Sequence, residues 1–186
     1  MSEIKREVLR KLIHFSGLLY IPAYKIFGPG NLLLILSALV ALTIPLEILR
    51  LKKGYFKLIA REHEMMGFGA HIYFLVSILL VTLFFPEDTC FIALITSIVG
   101  DGFAGIARKI YKNETVASFS MFFSSAYASA RLNLLDIHSL LAVILGTTVE
   151  RMKKVRGIYI QDNFSFPLAT TLMRQSVKYI SSHFCF

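Results

Sequence analysis

Two stretches of this sequence run for more than twenty residues without a formal charge: Ile26–Leu46, with 21 residues, and Met65–Pro86, with 22. A helix crossing a hydrocarbon core of about 30 Å needs about 20 mostly apolar residues, so either stretch is long enough to span a bilayer. A soluble domain interrupts its apolar runs at helix or strand period. It also carries about 25% charged residues, whereas this 186-residue chain has 17% and a mean hydropathy of +0.63. Backbone inside lipid must pair with itself, which leaves helices or a closed barrel. The runs lack the polar–apolar alternation of barrel strands. The expected architecture is an all-α, polytopic transmembrane bundle.

Five further segments are shorter or interrupted. Leu12–Phe27 contains Lys25, and Thr89–Ala107 contains Asp101. Thr115–Ala130 and Ile137–Val149 are short, and Phe164–Ile180 carries Arg174 and Lys178. The count is six spans, with a seventh at the C-terminus, in a single integral membrane domain covering residues 1–186. Gly28–Asn31, Pro86–Thr89 and Asn133–Asp136 read as short helix-hairpin turns. Arg50–Phe68, dense in both charge signs, reads as an interfacial helix or an extension of the third span. A basic N-terminal stretch before an apolar run also suits a signal peptide, but no small-residue cleavage site follows, so the first run reads as a retained span.

The net charge of +8 is not a nucleic-acid signature, because the basic residues alternate by loop. Sixteen of the 20 Lys and Arg lie before the first span or after the second, fourth and sixth, while the intervening turns are nearly bare of them. That is the positive-inside pattern. It places the N-terminus in the cytoplasm and argues for the bilayer, not nucleic acid, as partner. Cys90 and Cys185 have no metal-ligand spacing around them and read as small apolar residues. Nothing in the sequence bears on oligomeric state.

Ionisable groups in spans are costly and mark functional sites. Here they gather at the cytoplasmic helix ends. Glu7, Arg10, Lys11 and His14 share one helix face by their spacing, although an interfacial helix meeting anionic headgroups gives the same stripe. Glu47 with Arg50, and Arg61 with Glu64, are each one turn apart, as simple surface ion pairs also are. Asp101 follows Gly100, with Ala104, Gly105 and Arg108 one and two turns on; a structural carboxylate paired to Arg108 is the plainer account. Glu150 closes the sixth span. Asp162 and Asn163 open the last, where an Asp also serves as a helix cap. Carboxylates able to hold Mg²⁺, or a similar divalent cation, beside cations able to neutralise phosphate oxygens suit phosphoryl or nucleotidyl transfer.

These motifs resemble those of the CTP-dependent lipid kinases: dolichol kinase, phytol kinase and the CTP-using diacylglycerol kinase. The likeness runs through Glu7-x-x-Arg10-Lys11-x-x-His14, Glu47-x-x-Arg50, Glu64 with Gly69-Ala70-x-x-Tyr73-Phe74, Gly100-Asp101-x-x-Ala104, and Glu150 followed by Asp162-Asn163-x-x-x-Pro167-Leu168. It covers most of the chain. The resemblance implies a multi-pass enzyme that passes a phosphoryl group from CTP to a lipid alcohol with Mg²⁺. Asp101, Asp162 and Asn163 would be catalytic, and Asp101, Glu150 and Asp162 would hold the metal. Arg10, Lys11, His14, Arg50, Arg108 and Lys112 would serve the nucleotide and its phosphates, and Glu7, Glu47 and Glu64 would be supporting acids. One stretch departs from the pattern: the position usually held by Lys reads Glu114, and the following Gly is absent from Asn113–Phe119. A phosphatidate-type cytidylyltransferase and a catalytically impaired relative that binds lipid phosphate are the alternatives.

Overall fold

The computed structural model of the protein describes Leu12 and residues 14–53, 67–152, 154–155, 158–159 and 161–184. The described chain is helical apart from one short antiparallel pair, β1 (Lys154–Val155) and β2 (Ile158–Tyr159). A 3₁₀ turn at Ser16–Leu19 leads into α1 (Tyr20–Lys53). Then come α2 (Ala70–Phe84), α3 (Glu87–Ile95), a π-helical segment (Thr96–Gly100) continuous with α4 (Asp101–Tyr111), α5 (Glu114–Arg131), α6 (Ile137–Arg151) and α7 (Asp162–Phe184).

Helix α1 is two arms. Gly28 lies at φ 72°, ψ 167°, a backbone region essentially reserved for glycine, and Pro29 restarts the helix with a pre-set φ. The contacts show that the chain reverses there. Tyr20 Oη lies 2.8 Å from Thr82 Oγ1, and Lys25 pairs with Glu87 at the start of α3. Further along, Glu47 accepts from the backbone N–H of Gly69, just before α2. Helix α2 climbs about 22 Å between those two ends, so the second arm runs back antiparallel to the first. The turn expected at Gly28–Asn31 is therefore present.

The same logic places charged groups in two layers. One layer holds His14, Glu47, Asp101, Glu150 and Asp162. The other is built around Arg174, which is almost fully buried. Its Nη1 donates to Asp88 Oδ2 at 2.7 Å and Thr89 Oγ1 at 2.8 Å, its Nη2 to Asp136 Oδ2 at 3.2 Å, and its Nε to Ser139 Oγ at 3.0 Å. Lys178 adds a bond to Asp88, and His138 lies beside Asp136 and Ser181. Three helical stretches link the layers: Asp88 to Asp101, Asp136 to Glu150, and Arg174 to Asp162. Each rises roughly 20 Å. Counting both arms of α1, seven helical passes run between the layers among the described residues.

Between the layers the core is apolar, and several of its buried hydroxyls bond back to their own helices, while Ser77 donates across to the Phe164 carbonyl of α7. Thr82, Thr96, Ser97, Thr147 and Thr170 each donate to the carbonyl four residues earlier. The central helix from Glu87 to Tyr111 and the stretch Ser16–Lys53 are each long and apolar enough to cross a membrane. The first is mostly buried, whereas α1 leaves Leu34, Leu42 and Leu46 exposed. Helix α5 likewise exposes Phe119, Phe123 and Tyr127 on one face and buries Ala117, Met121, Ser125 and Ser129 on the other. The buried face meets the π segment so closely that a Cβ on Gly100 would lie 2.3 Å from Ser125 Oγ.

Candidate active-site cleft

Asp101, Glu150, Asp162 and Asn163 line one small cleft together with Ser97 and Phe166. Three helices supply them. Asp101 follows directly on the π segment, a geometry in which one extra residue is folded into the turn. At this distortion Ser97 keeps its hydroxyl on the Ala93 carbonyl while its own carbonyl meets His14. His14 Nε2 lies 2.9 Å from Ser97 O and 3.6 Å from Asp101 Oδ2. A carbonyl only accepts, so this nitrogen carries the proton and faces the carboxylate as a donor. The Phe74 ring, 5.7 Å away between centroids, packs beside the imidazole.

Asp162 opens α7, where the unpaired N–H groups of a helix start favour an acid. Its Oδ1 accepts from the Asn163 backbone at 2.8 Å and from Asn163 Nδ2 at 3.0 Å, so the two side chains act as one unit. Phe166, one turn on, packs where α6 is thinned by Gly146; a Cβ there would meet the Phe166 ring at 2.5 Å.

Arg108 joins the cleft through Glu150, with Nη2 donating to Oε1 at 2.8 Å. Its Nε donates to both carboxylate oxygens of Glu114, at 3.0 and 2.9 Å. The plainer account of Asp101, a carboxylate paired to Arg108, therefore gives way: the ion pairs described for Arg108 are with Glu114 and Glu150. The altered stretch after it has a local purpose. Asn113 caps α5 by accepting from Thr115 N and Val116 N. Lys112, exposed, ends α4 in the left-handed region at φ 50°, a position that glycine usually takes.

Glu47 and Arg50 form a second node. Arg50 donates from Nε and Nη2 to the two Glu47 oxygens, each at 2.9 Å, and from Nη2 to Gly67 O at 2.8 Å. His71 Nε2 lies 3.7 Å from Glu47. This buried carboxylate ties the end of α1 to the start of α2, a structural role on the contacts described. Glu7, Arg10, Lys11, Arg61 and Glu64, with most of Arg50–Phe68, lie outside the described residues.

Sequence reasoning missed the π segment, Ser97, Phe166 and the bond from Arg108 to Glu114. It noted Arg174 and Lys178 only as interruptions of an apolar run. Their spacing of four in a helix was the available signal that both would reach one partner.

The cleft's donor chemistry suits a hard cation, since all its charged lining groups are carboxylates. Among the described residues no group of three or more His, Cys, Asp or Glu side chains is arranged to hold a metal ion. Mg²⁺ needs less, because it is commonly held by one or two carboxylates plus substrate phosphates. Asp101 and Asp162 are the lining carboxylates for such a cation, whereas Glu150 already accepts from Arg108. The chain matches no known protein family, no curated protein and no solved structure.

Proposed function

We propose that the chain is a multi-pass integral membrane protein of seven spans, with the His14–Asp101–Asp162 layer facing the cytoplasm, and that it transfers a phosphoryl group from CTP to a lipid alcohol. The observation that carries this reading is the meeting of Asp101, Glu150, Asp162 and Asn163 in one cleft, with His14 at its edge. They come from three separate sequence motifs. The apolar periphery of α1 and α5 supports the membrane setting, as a lipid-facing surface requires.

In the reaction the lipid hydroxyl attacks the γ-phosphorus. The new bond is oxygen to phosphorus, the bond to the β-phosphate oxygen breaks, and CDP leaves. Asp101 orients the hydroxyl and accepts its proton, and His14 holds that carboxylate in place. Asn163 Nδ2, steadied by Asp162, is a donor for a phosphate oxygen. Mg²⁺ bound by Asp101 and Asp162 would neutralise charge on the β- and γ-phosphates. Phosphoryl transfer is largely positioning and electrostatics, so the site needs no Ser or Cys nucleophile.

The test is an assay of the purified chain in detergent with γ-labelled CTP, Mg²⁺ and a panel of polyprenols, phytol and diacylglycerol. Label is expected in lipid, with Asp101→Asn lowering it about 100-fold. Unchanged labelling in that variant sinks the site assignment. Pyrophosphate release with phosphatidate identifies a cytidylyltransferase instead. The Glu114 carboxylate on Arg108 favours a second reading, a relative that binds lipid phosphate without turning it over. Absence of label with every alcohol would leave that one standing.

A further inference from the structure

Arg108 meets two carboxylates, and they hold it in different ways. Glu150, buried, accepts from Nη2 at 2.8 Å. Glu114 adds a second carboxylate on Nε, and the pair is of a different kind. Both Glu114 oxygens share the one N–H, at 3.0 and 2.9 Å, in place of the two parallel bonds that make arginine–carboxylate pairs strong. Its side chain is 52% exposed, against 4% for Glu150. Nη1 has no partner among the described residues. An exposed pair of this geometry biases an equilibrium by no more than about fivefold. Glu114 also stands in the first turn of α5, where the helix dipole favours an acid whether or not Arg108 holds it.

We propose that Glu114 is an internal occupant of an anion subsite on Arg108, at the rim of the cleft, and that a phosphate oxygen takes its place on Nε when substrate binds. This rests on the phosphoryl-transfer reading and names the residue that sets how tightly that site takes a phosphate. Arg108 stays folded against Glu150 throughout, and the exchange turns the Glu114 carboxylate off Nε. The ligand chemistry is a phosphate monoester or polyphosphate end, from a nucleotide or a lipid headgroup.

The experiment uses the full chain in detergent and measures binding of inorganic tripolyphosphate in one arm and phosphatidate bicelles in the other. It compares wild type, Glu114→Gln, Glu114→Ala, and each combined with Arg108→Lys, which keeps a cation for Glu150 but loses Nε. Removing the competitor and a like charge is expected to tighten one or both probes about tenfold, and Arg108→Lys to erase the gain. A gain confined to tripolyphosphate assigns the subsite to a nucleotide; one confined to phosphatidate assigns it to lipid. The proposal is overturned if both Glu114 variants stay within twofold of wild type, or if the gain survives Arg108→Lys. Labelling of lipid by wild type is scored separately. Labelling without a Glu114 effect removes the subsite and leaves the kinase, and a Glu114 effect without labelling does the reverse.

Discussion

Arg174 Nη1 lies 2.7 Å from Asp88 Oδ2 although 86 positions separate them in the chain. The same guanidinium reaches Asp136, so one buried side chain on α7 fastens both the α2–α3 turn and the α5–α6 turn. Breaking a buried pair by removing one partner is costly because the others keep their charge. Arg174→Met is expected to lose about 3 kcal/mol, read as a fall in the thermal midpoint in detergent. Adding Asp88→Asn and Asp136→Asn should recover part of it. A variant as stable as wild type would mean that water replaces the guanidinium.

Gly100 is expected to tolerate no side chain. Its Cβ would press on Ser125 Oγ at 2.3 Å and Met121 Cγ at 3.1 Å, and overpacking of this kind costs about 1–3 kcal/mol. Gly100→Ala should lower the midpoint, and Ser125→Ala in the same chain should restore much of the loss. Equal midpoints for the single and double variants would refute the close approach of α5.

Acid should loosen the Arg174 layer in a way that depends on Asp136. Partial burial pushes this carboxyl up, but the bonds from Ser139 and the nearby Arg174 and His138 outweigh that and hold it below the usual value, about 3.9 for an unfolded Asp. The folded form therefore binds its proton less readily than the unfolded form. The stabilisation is complete above about pH 4 and fades as pH falls below it. Unfolding midpoints measured from pH 6 to pH 2 should drop less for Asp136→Asn than for wild type. Parallel curves would assign the acid sensitivity elsewhere.

Membrane sidedness can be read with single cysteines in a chain lacking Cys90 and Cys185. Cysteines at Lys53 and Lys112 should react with an impermeant maleimide from one side of sealed vesicles, and a cysteine at Glu87 from the other. Labelling of all three from one side would discard the seven-span topology.

The helices themselves were legible because their signal is composition over twenty residues, which no local contact reverses. Gly28-Pro29-Gly30 announced the reversal of α1 for a similar reason: only glycine adopts that backbone, and proline restarts a helix. The cleft was legible in part. Asp101, Glu150, Asp162 and Asn163 could be gathered on one side by counting passes. Which carboxylate Arg108 would choose could not, since Asp101, Glu114 and Glu150 all sit within reach of the same helix ends and only side-chain geometry separates them. The π segment was equally hidden, because no residue type in Thr96–Gly100 marks one. The C-terminal helix carries Arg174 and Lys178 within its apolar run. Those residues pair with Asp88 and Asp136 in turns that sequence reading treated as mere connectors.

Pro167, in the second turn of α7 and fully buried, has one more effect. Its nitrogen bears no hydrogen, so the carbonyl four residues earlier, that of Asn163, lacks the donor every other turn of the helix supplies. Asn163 thus brings two oxygens to the neighbourhood of the cleft, one on a rotatable amide and one fixed in the main chain. The second needs no rotamer to be frozen before it can accept a hydrogen bond. It would survive any substitution of residue 163 itself. Pro167→Ala would silence it by handing it back to the helix.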